Sequence, residues 1–247
     1  MDLLAAYAPW QLAAALVAAL GSAFVRGLTG FGMAILLVPI LALALTPVES
    51  VLLTNVLSLL IGLTEARRLV RGADPTAWRI AALVVLATPL GLLALAATSP
   101  QIARLVIALI ALSAFLAILL PRRGDADPGR LTTGAVGLVS GLMTGYAGMP
   151  GPPVVPFYVG RTIPREIAKA SMLLIFTIAS LSGLASGMAM GIVAWRLPLL
   201  AAMLFPAVLL GNWLGNRASG RIGDGVWRAA VGAVLGGAAI AALARLF

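Results

Sequence analysis

Two short stretches hold the residues best suited to chemistry. One is Gly27-Leu28-Thr29-Gly30-Phe31-Gly32; the other is Gly145-Tyr146-Ala147-Gly148-Met149-Pro150-Gly151-Pro152-Pro153, preceded by Gly141. Each interrupts a long apolar run. Glycine lets the backbone leave helical geometry, and proline ends a helix while removing an amide donor. A helix restarting after such a break aims unpaired N–H groups and its positive dipole end back at the break. That makes an anion site with no charged side chain required. Gly27, Gly30, Gly32, Gly145, Gly148 and Gly151 are the backbone candidates, with Phe31 among them, and Thr29, Thr144 and Tyr146 supply hydroxyl donors. Asn55, inside an apolar run, and Ser171 could face the same site or hold helices together. Glu49 and Glu166 open equivalent runs, where the helix dipole favours a carboxylate; capping is their default reading and proton coupling the sharper alternative. Arg26 stands at the lip of the first break, read as a headgroup anchor with attraction of anions as the alternative.

Glycine also permits close helix packing. Gly137-x-x-x-Gly141, Gly187-x-x-x-Gly191, Gly211-x-x-x-Gly215 and Gly232-x-x-x-Gly236 have that spacing. Asn212 and Asn216, one turn apart, read as contacts between helices. Trp10, Trp78 and Trp195 fall at run ends and read as interface anchors.

The elements that must position these residues are membrane segments. Of 247 residues, 62% are hydrophobic and 10% charged, and the mean hydropathy is +1.08. A soluble domain needs more polar surface than that. With about 20 apolar residues per helical span, the chain holds roughly eight to ten spans. There is no Cys and no His, which removes thiolate and imidazole catalysis and most zinc or haem sites. No catalytic set, metal or cofactor is expected, and an enzyme working within the bilayer would lack its general base or nucleophile. The net charge of +9 is mostly Arg flanking spans, so nucleic acid is not the expected partner; a small anion and the lipid bilayer are. No cleavable signal peptide is expected at the N-terminus.

Apolar runs fall at 9–25, 33–45, 48–63, 78–97 and 102–120, then, after the polar stretch 121–130, at 132–146, 154–159, 167–193, 197–214 and 226–246. The halves repeat. At one constant offset Val38-Pro39 matches Val155-Pro156, Pro47 matches Pro164, Glu49 matches Glu166, Thr54 matches Ser171, Trp78-Arg79 matches Trp195-Arg196, and Pro89 matches Pro206. The expected fold is an all-α, polytopic transmembrane bundle of two inverted five-segment repeats, 1–120 and 131–247, joined by a cytoplasmic linker at 121–130. Broken or re-entrant helices are expected at the Gly-rich motifs. With the linker inside, every Arg and Lys except Arg104, Arg196 and Arg245 falls on the cytoplasmic side, and both termini lie outside the inner (plasma) membrane. An odd number of segments per half makes the copies inverted, which suits alternating access.

The paired motifs, Gly27 to Gly32 followed by Val38-Pro39 and Gly141 to Gly151 followed by Pro152-Pro153-Val154-Val155, resemble the signatures of the TauE/SafE family, also called the sulfite exporter or toluene-sulfonate uptake permease family. The resemblance covers nearly the whole chain. It implies a permease for small anions such as sulfite, sulfonates and sulfo-organic acids. The competing reading is a membrane scaffold or assembly factor without transport activity, for which pseudo-symmetry would serve no purpose. Which anion is carried, in which direction, with which coupling ion and in what oligomeric state stays open at this level.

Overall fold

A computed structural model describes residues 8–42, 44–119 and 129–219. Most of the linker, at 121–128, and the last run, at 226–246, lie outside the described residues. So do Arg122, Arg123, Arg221, Arg228, Arg245 and the Gly232-x-x-x-Gly236 pair. Among the described residues the fold is all-helical: α1 (Pro9–Thr29), α2 (Met33–Leu41), α3 (Pro47–Gly72), α4 (Pro75–Ala96), α5 (Pro100–Leu119), α6 (Arg130–Ala147), α7 (Gly151–Val159), α8 (Arg165–Ala189) and α9 (Arg196–Ser219). Pro9, Pro47, Pro75 and Pro100 open their helices, a position where the missing N–H would have had no helical partner. The carboxylate of Glu49 accepts the Thr46 N–H at 3.2 Å while Thr46 Oγ1 accepts the Glu49 N–H at 3.2 Å, closing a capping box on α3.

Five helices, α1, α3, α4, α8 and α9, are long and apolar enough to cross a bilayer. By contrast, α2 and α7 have nine residues each, about 13 Å at 1.5 Å per residue against a hydrocarbon core of about 30 Å. They are enclosed by other helices: α2 packs on α1, α3 and α5, and α7 on α5, α6 and α8. Leu37 and Val38 of α2 and Val154 and Tyr158 of α7 are buried. Outward faces are apolar. Leu86, Leu90 and Leu93 of α4 and Leu181 of α8 are exposed, as expected of surfaces that meet lipid and not water.

Glycines set the closest helix pairs. α1 and α9 run side by side in the same direction, so that Gly211 lies on the Leu20 carbonyl and Gly215 on the Phe24 carbonyl. α4 and α6 pair likewise, Gly145 lying on the Thr88 carbonyl and Gly91 on that of Leu142. A Cβ at Gly215 would stand 2.0 Å from Phe24 O, and one at Gly145 2.1 Å from Thr88 O. No side chain fits there. α3 and α8 cross in opposite directions, with Gly62 against Thr177, Asn55 against Gly183 and Leu52 against Gly187. Gly191, expected to pack, instead takes φ 68° in the turn after α8 with nothing close to it.

At the end of the bundle that carries Arg67, Arg68 and Arg71, the α3–α4 connection is fastened to α7 and α8. The Asp74 carboxylate accepts the Thr76 N–H at 2.9 Å and Arg161 Nη1 at 3.2 Å. The Asp74 N–H donates to Ser171 Oγ at 2.8 Å, and Thr76 Oγ1 lies 2.9 Å from the Tyr158 hydroxyl. Burial pushes the Asp74 carboxyl up, but the hydrogen bonds from Thr76 and Arg161 outweigh it and hold the group below its ordinary value.

Candidate functional site

Both helix interruptions are shorter than the sequence suggests. α1 continues through Arg26, Gly27 and Leu28 to Thr29, and α6 continues through Gly145 and Tyr146 to Ala147. Gly27 and Gly145 serve as packing surfaces: a Cβ at Gly27 would lie 2.3 Å from Asn212 O. The chain leaves the helix at Gly30, φ 86°, and Gly32, φ 94°, and in the second half at Gly148, φ 66°. These conformations disfavour any side chain. Thr29 fastens the first turn. Its Oγ1 accepts the Phe31 N–H at 3.1 Å and lies 2.8 Å from Val25 O.

The two turns face one another across a small cavity of about 40 Å³, room for a few waters or one small polyatomic anion. Phe31, Gly32 and the first residues of α2 line one side, and Gly148 to Gly151 line another. Arg26 closes it from α1, Ser58 from α3, and Thr177 and Ser180 from α8. Of the residues expected from sequence, Phe31, Gly32, Gly148 and Gly151 line this space. Gly30 and Thr29 shape the turn beside it.

The others lie elsewhere. Thr144 Oγ1 donates to Ser140 O at 2.7 Å within α6, and Tyr146 is half-buried on the same helix. Ser171 belongs to the Asp74 fastening and donates to Ile167 O at 2.7 Å. Asn55 and Thr54 are buried at the α3–α8 crossing, where Asn55 Nδ2 and Thr54 Oγ1 have no hydrogen-bond partner. Glu49 pairs with Arg196, whose Nε lies 3.0 Å from its Oε1. Glu166 meets Arg68 at 2.9 Å on an exposed surface at the opposite end.

Donors in the cavity are unequally shared between the halves. The N-terminal amides of Met33, Ala34 and Ile35 have no partner within α2, whose first helical bond runs from the Leu36 N–H to Gly32 O at 3.1 Å. All three residues line the cavity. The corresponding start of α7 is Gly151-Pro152-Pro153, and its prolines carry no N–H. Thr177 and Ser180 spend their hydroxyl protons on Leu173 O and Phe176 O, each at 2.8 Å. So the α2 terminus is the amide donor set, although the sequence presents the two motifs as equals.

Sequence reasoning also set Arg26 aside as a headgroup anchor. It is buried, 7% exposed, because α1 continues past it and α9 packs over it. Its Nη1 donates to Asn212 Oδ1 at 2.7 Å and its Nη2 to Glu65 Oε2 at 3.0 Å. Beside it Lys169 Nζ donates to Asn216 Oδ1 at 3.2 Å and Gly27 O at 3.3 Å. The asparagines on α9 thus join helices, as their spacing suggested. Lys169, Ser58, Thr177 and Ser180 gave no local signal. The shared Gly27–Asn212 contact could have located Arg26 only if the α1–α9 pairing were known.

The family model described as sulfite exporter TauE/SafE matches residues 14–242, nearly the whole chain. Searches of curated proteins and of solved structures return no match. The chain belongs to the TauE/SafE family, a family of multi-pass membrane transporters of sulfite and related anions.

Proposed function

We propose that this member of the TauE/SafE family is a permease or exporter that carries sulfite, an organosulfonate or a sulfo-organic acid across the inner membrane. The anion binds in the cavity between the Gly30–Gly32 and Gly148–Pro150 turns, near the bilayer midplane. One observation carries the reading: the first residues of α2, whose amides have no partner within the helix, and the buried Arg26 line the same small cavity. Helix-terminal amides and a guanidinium are the two protein groups best matched to an oxyanion. The bound anion lies closer to α2 than to α7, because Pro152 and Pro153 supply no donors.

The halves 1–120 and 131–247 act as inverted repeats exchanging access between the two sides. Pairing of α1 with α9 and of α4 with α6, each joining one helix from either half, supports this, as does the antiparallel α3–α8 crossing. The positive-inside distribution favours a cytoplasmic position for the end bearing Arg67, Arg68 and Arg71 and for the 121–130 linker, with both termini outside. Neither Glu49 nor Glu166 reaches the cavity, which supports flux of a monoanion driven by the membrane potential, about 2.3 kcal/mol per charge per 100 mV.

The test is reconstitution in liposomes with the potential and the pH gradient imposed separately. Saturable uptake of labelled sulfite or methanesulfonate that follows the potential is expected. Folded protein that moves no anion under either gradient would return the chain to the scaffold reading. Strict dependence on the pH gradient at fixed potential would restore Glu49 and Glu166 as coupling groups.

A further inference from the structure

Arg26 is a buried cation held inside a largely apolar bundle. Such a charge is tolerated only when paired. Its partner Glu65 is 17% exposed, lies one helix away on α3, and contacts the guanidinium through a single Nη2–Oε2 distance of 3.0 Å. A guanidinium carries five N–H donors and accepts a carboxylate most strongly through two of them. The Asn212 and Glu65 contacts at Nη1 and Nη2 do not exhaust that capacity. Arg26 also lines the cavity that the first residues of α2 line. Charge around this mouth is net positive: Arg26, Lys169 and Arg68 stand against the two carboxylates of Glu65 and Glu166. The corresponding position in the second half, by the repeat offset, is Ser182, so only one half carries a charged pair.

Resting on the transport reading above, we infer that Arg26 is the cation that recognises the translocated oxyanion, and that Glu65 is its resident counter-ion, competing with the substrate. In the empty protein Glu65 neutralises Arg26 and keeps its charge from being stranded. An arriving sulfite or sulfonate takes guanidinium donors on the cavity side, with the α2 amides completing its shell. Glu65 yields its hold and turns towards the more open end of α3. When the anion leaves, Glu65 recovers Arg26 and favours release. A carboxylate and a sulfur oxyanion are similar enough in charge and acceptor geometry for one to stand in for the other. The pair therefore limits affinity and so keeps the anion from being trapped.

The test compares purified full-length wild type, Glu65→Gln and the double variant Arg26→Gln/Glu65→Gln. The double variant leaves no unpaired buried charge, so it avoids the folding defect expected of Arg26→Gln alone. Thermal unfolding in detergent is followed over a titration with sulfite and, separately, with methanesulfonate, alongside liposome flux. Glu65→Gln is expected to lower the melting temperature without ligand yet bind either anion several-fold more tightly, with slower maximal flux. The double variant is expected to bind at least about tenfold more weakly than wild type, the scale of one lost charge-assisted hydrogen bond. A salt bridge with only a structural role would change the ligand-free melting temperature and leave both affinities alone. That result, or wild-type affinity in the double variant, overturns the proposal. If wild type itself binds and moves no anion, the transport reading fails first, and the two failures are told apart by that control.

Discussion

At the scale of single residues, the turn glycines and the Asp74 fastening make separate demands. Gly30 sits at φ 86° with Lys169 Cγ 2.7 Å from where a Cβ would be. A left-handed conformation costs a non-glycine residue roughly 1–2 kcal/mol, and the lysine stem must also shift. Gly30→Ala is expected to fold with a modestly reduced melting temperature and to lose most anion flux, because the α2 amides are re-aimed; flux at the wild-type level would separate the turn from the site. Asp74 gives a pH prediction. Its folded value lies below the ordinary 3.8. The stability it contributes is therefore complete above the unfolded value and is lost as pH falls through the lower folded one. Wild type should lose melting temperature more steeply than Asp74→Asn below about pH 4, while the two run in parallel near neutrality.

At the scale of elements, helix pairing depends on bare backbone. Without a hydrophobic driving force between helices in lipid, close packing at small residues must do much of the work. Gly145→Ala and Gly215→Ala would each force a Cβ onto a carbonyl about 2 Å away, and overpacking of this kind costs about 1–3 kcal/mol. Gly21→Ala and Gly134→Ala, on α1 and α6 with nothing within 4 Å, should be neutral or slightly stabilising through helix propensity. Detergent unfolding of these four variants checks whether contact or mere composition explains the glycine content.

Sequence was most informative at this scale. Apolar runs located every described helix, and the opening prolines explain where several start, but α3 runs on to Gly72, nine residues past the apolar run at 48–63. It misplaced the ends of α1 and α6, because a glycine that packs a helix and a glycine that ends one look alike in sequence. That distinction needs the neighbouring carbonyls of Asn212 and Thr88. The site was legible as two turns and not as a constellation. Arg26, Ser58, Thr177 and Ser180 come to the cavity through pairings between helices far apart in the chain, and no local pattern records those. The sequence already showed that proline removes an amide donor, but treating the two motifs as equals left out what Pro152 and Pro153 take from the start of α7.

At the scale of the whole molecule, the α3–α8 crossing is where access must change if the halves rock. A Cβ at Gly72 would lie 3.2 Å from Ala170 Cβ, close to the separation a disulfide spans, and the chain contains no other cysteine. Oxidised Gly72→Cys/Ala170→Cys protein is expected to lose methanesulfonate flux and regain it on reduction; full flux in the oxidised form would show that this end of the crossing stays fixed. Orientation is testable in the same cysteine-free background. Arg67→Cys should resist a membrane-impermeant maleimide applied to intact cells, and Ser99→Cys, at the opposite end, should react.

The glycine-on-carbonyl contacts have a mechanical consequence. Two rods whose backbones interlock at Gly211 and Gly215, or at Gly91 and Gly145, cannot slide past one another without a collision at every turn. They behave as double-thickness beams, one made of α1 and α9 and the other of α4 and α6. Under the proposed exchange of access, bending would fall to the short helices α2 and α7 and to the α3–α8 crossing around Asn55, whose Nδ2 has no hydrogen-bond partner. If the halves exchange access as proposed, stiffness and mobility are then set by different residues and can be altered independently.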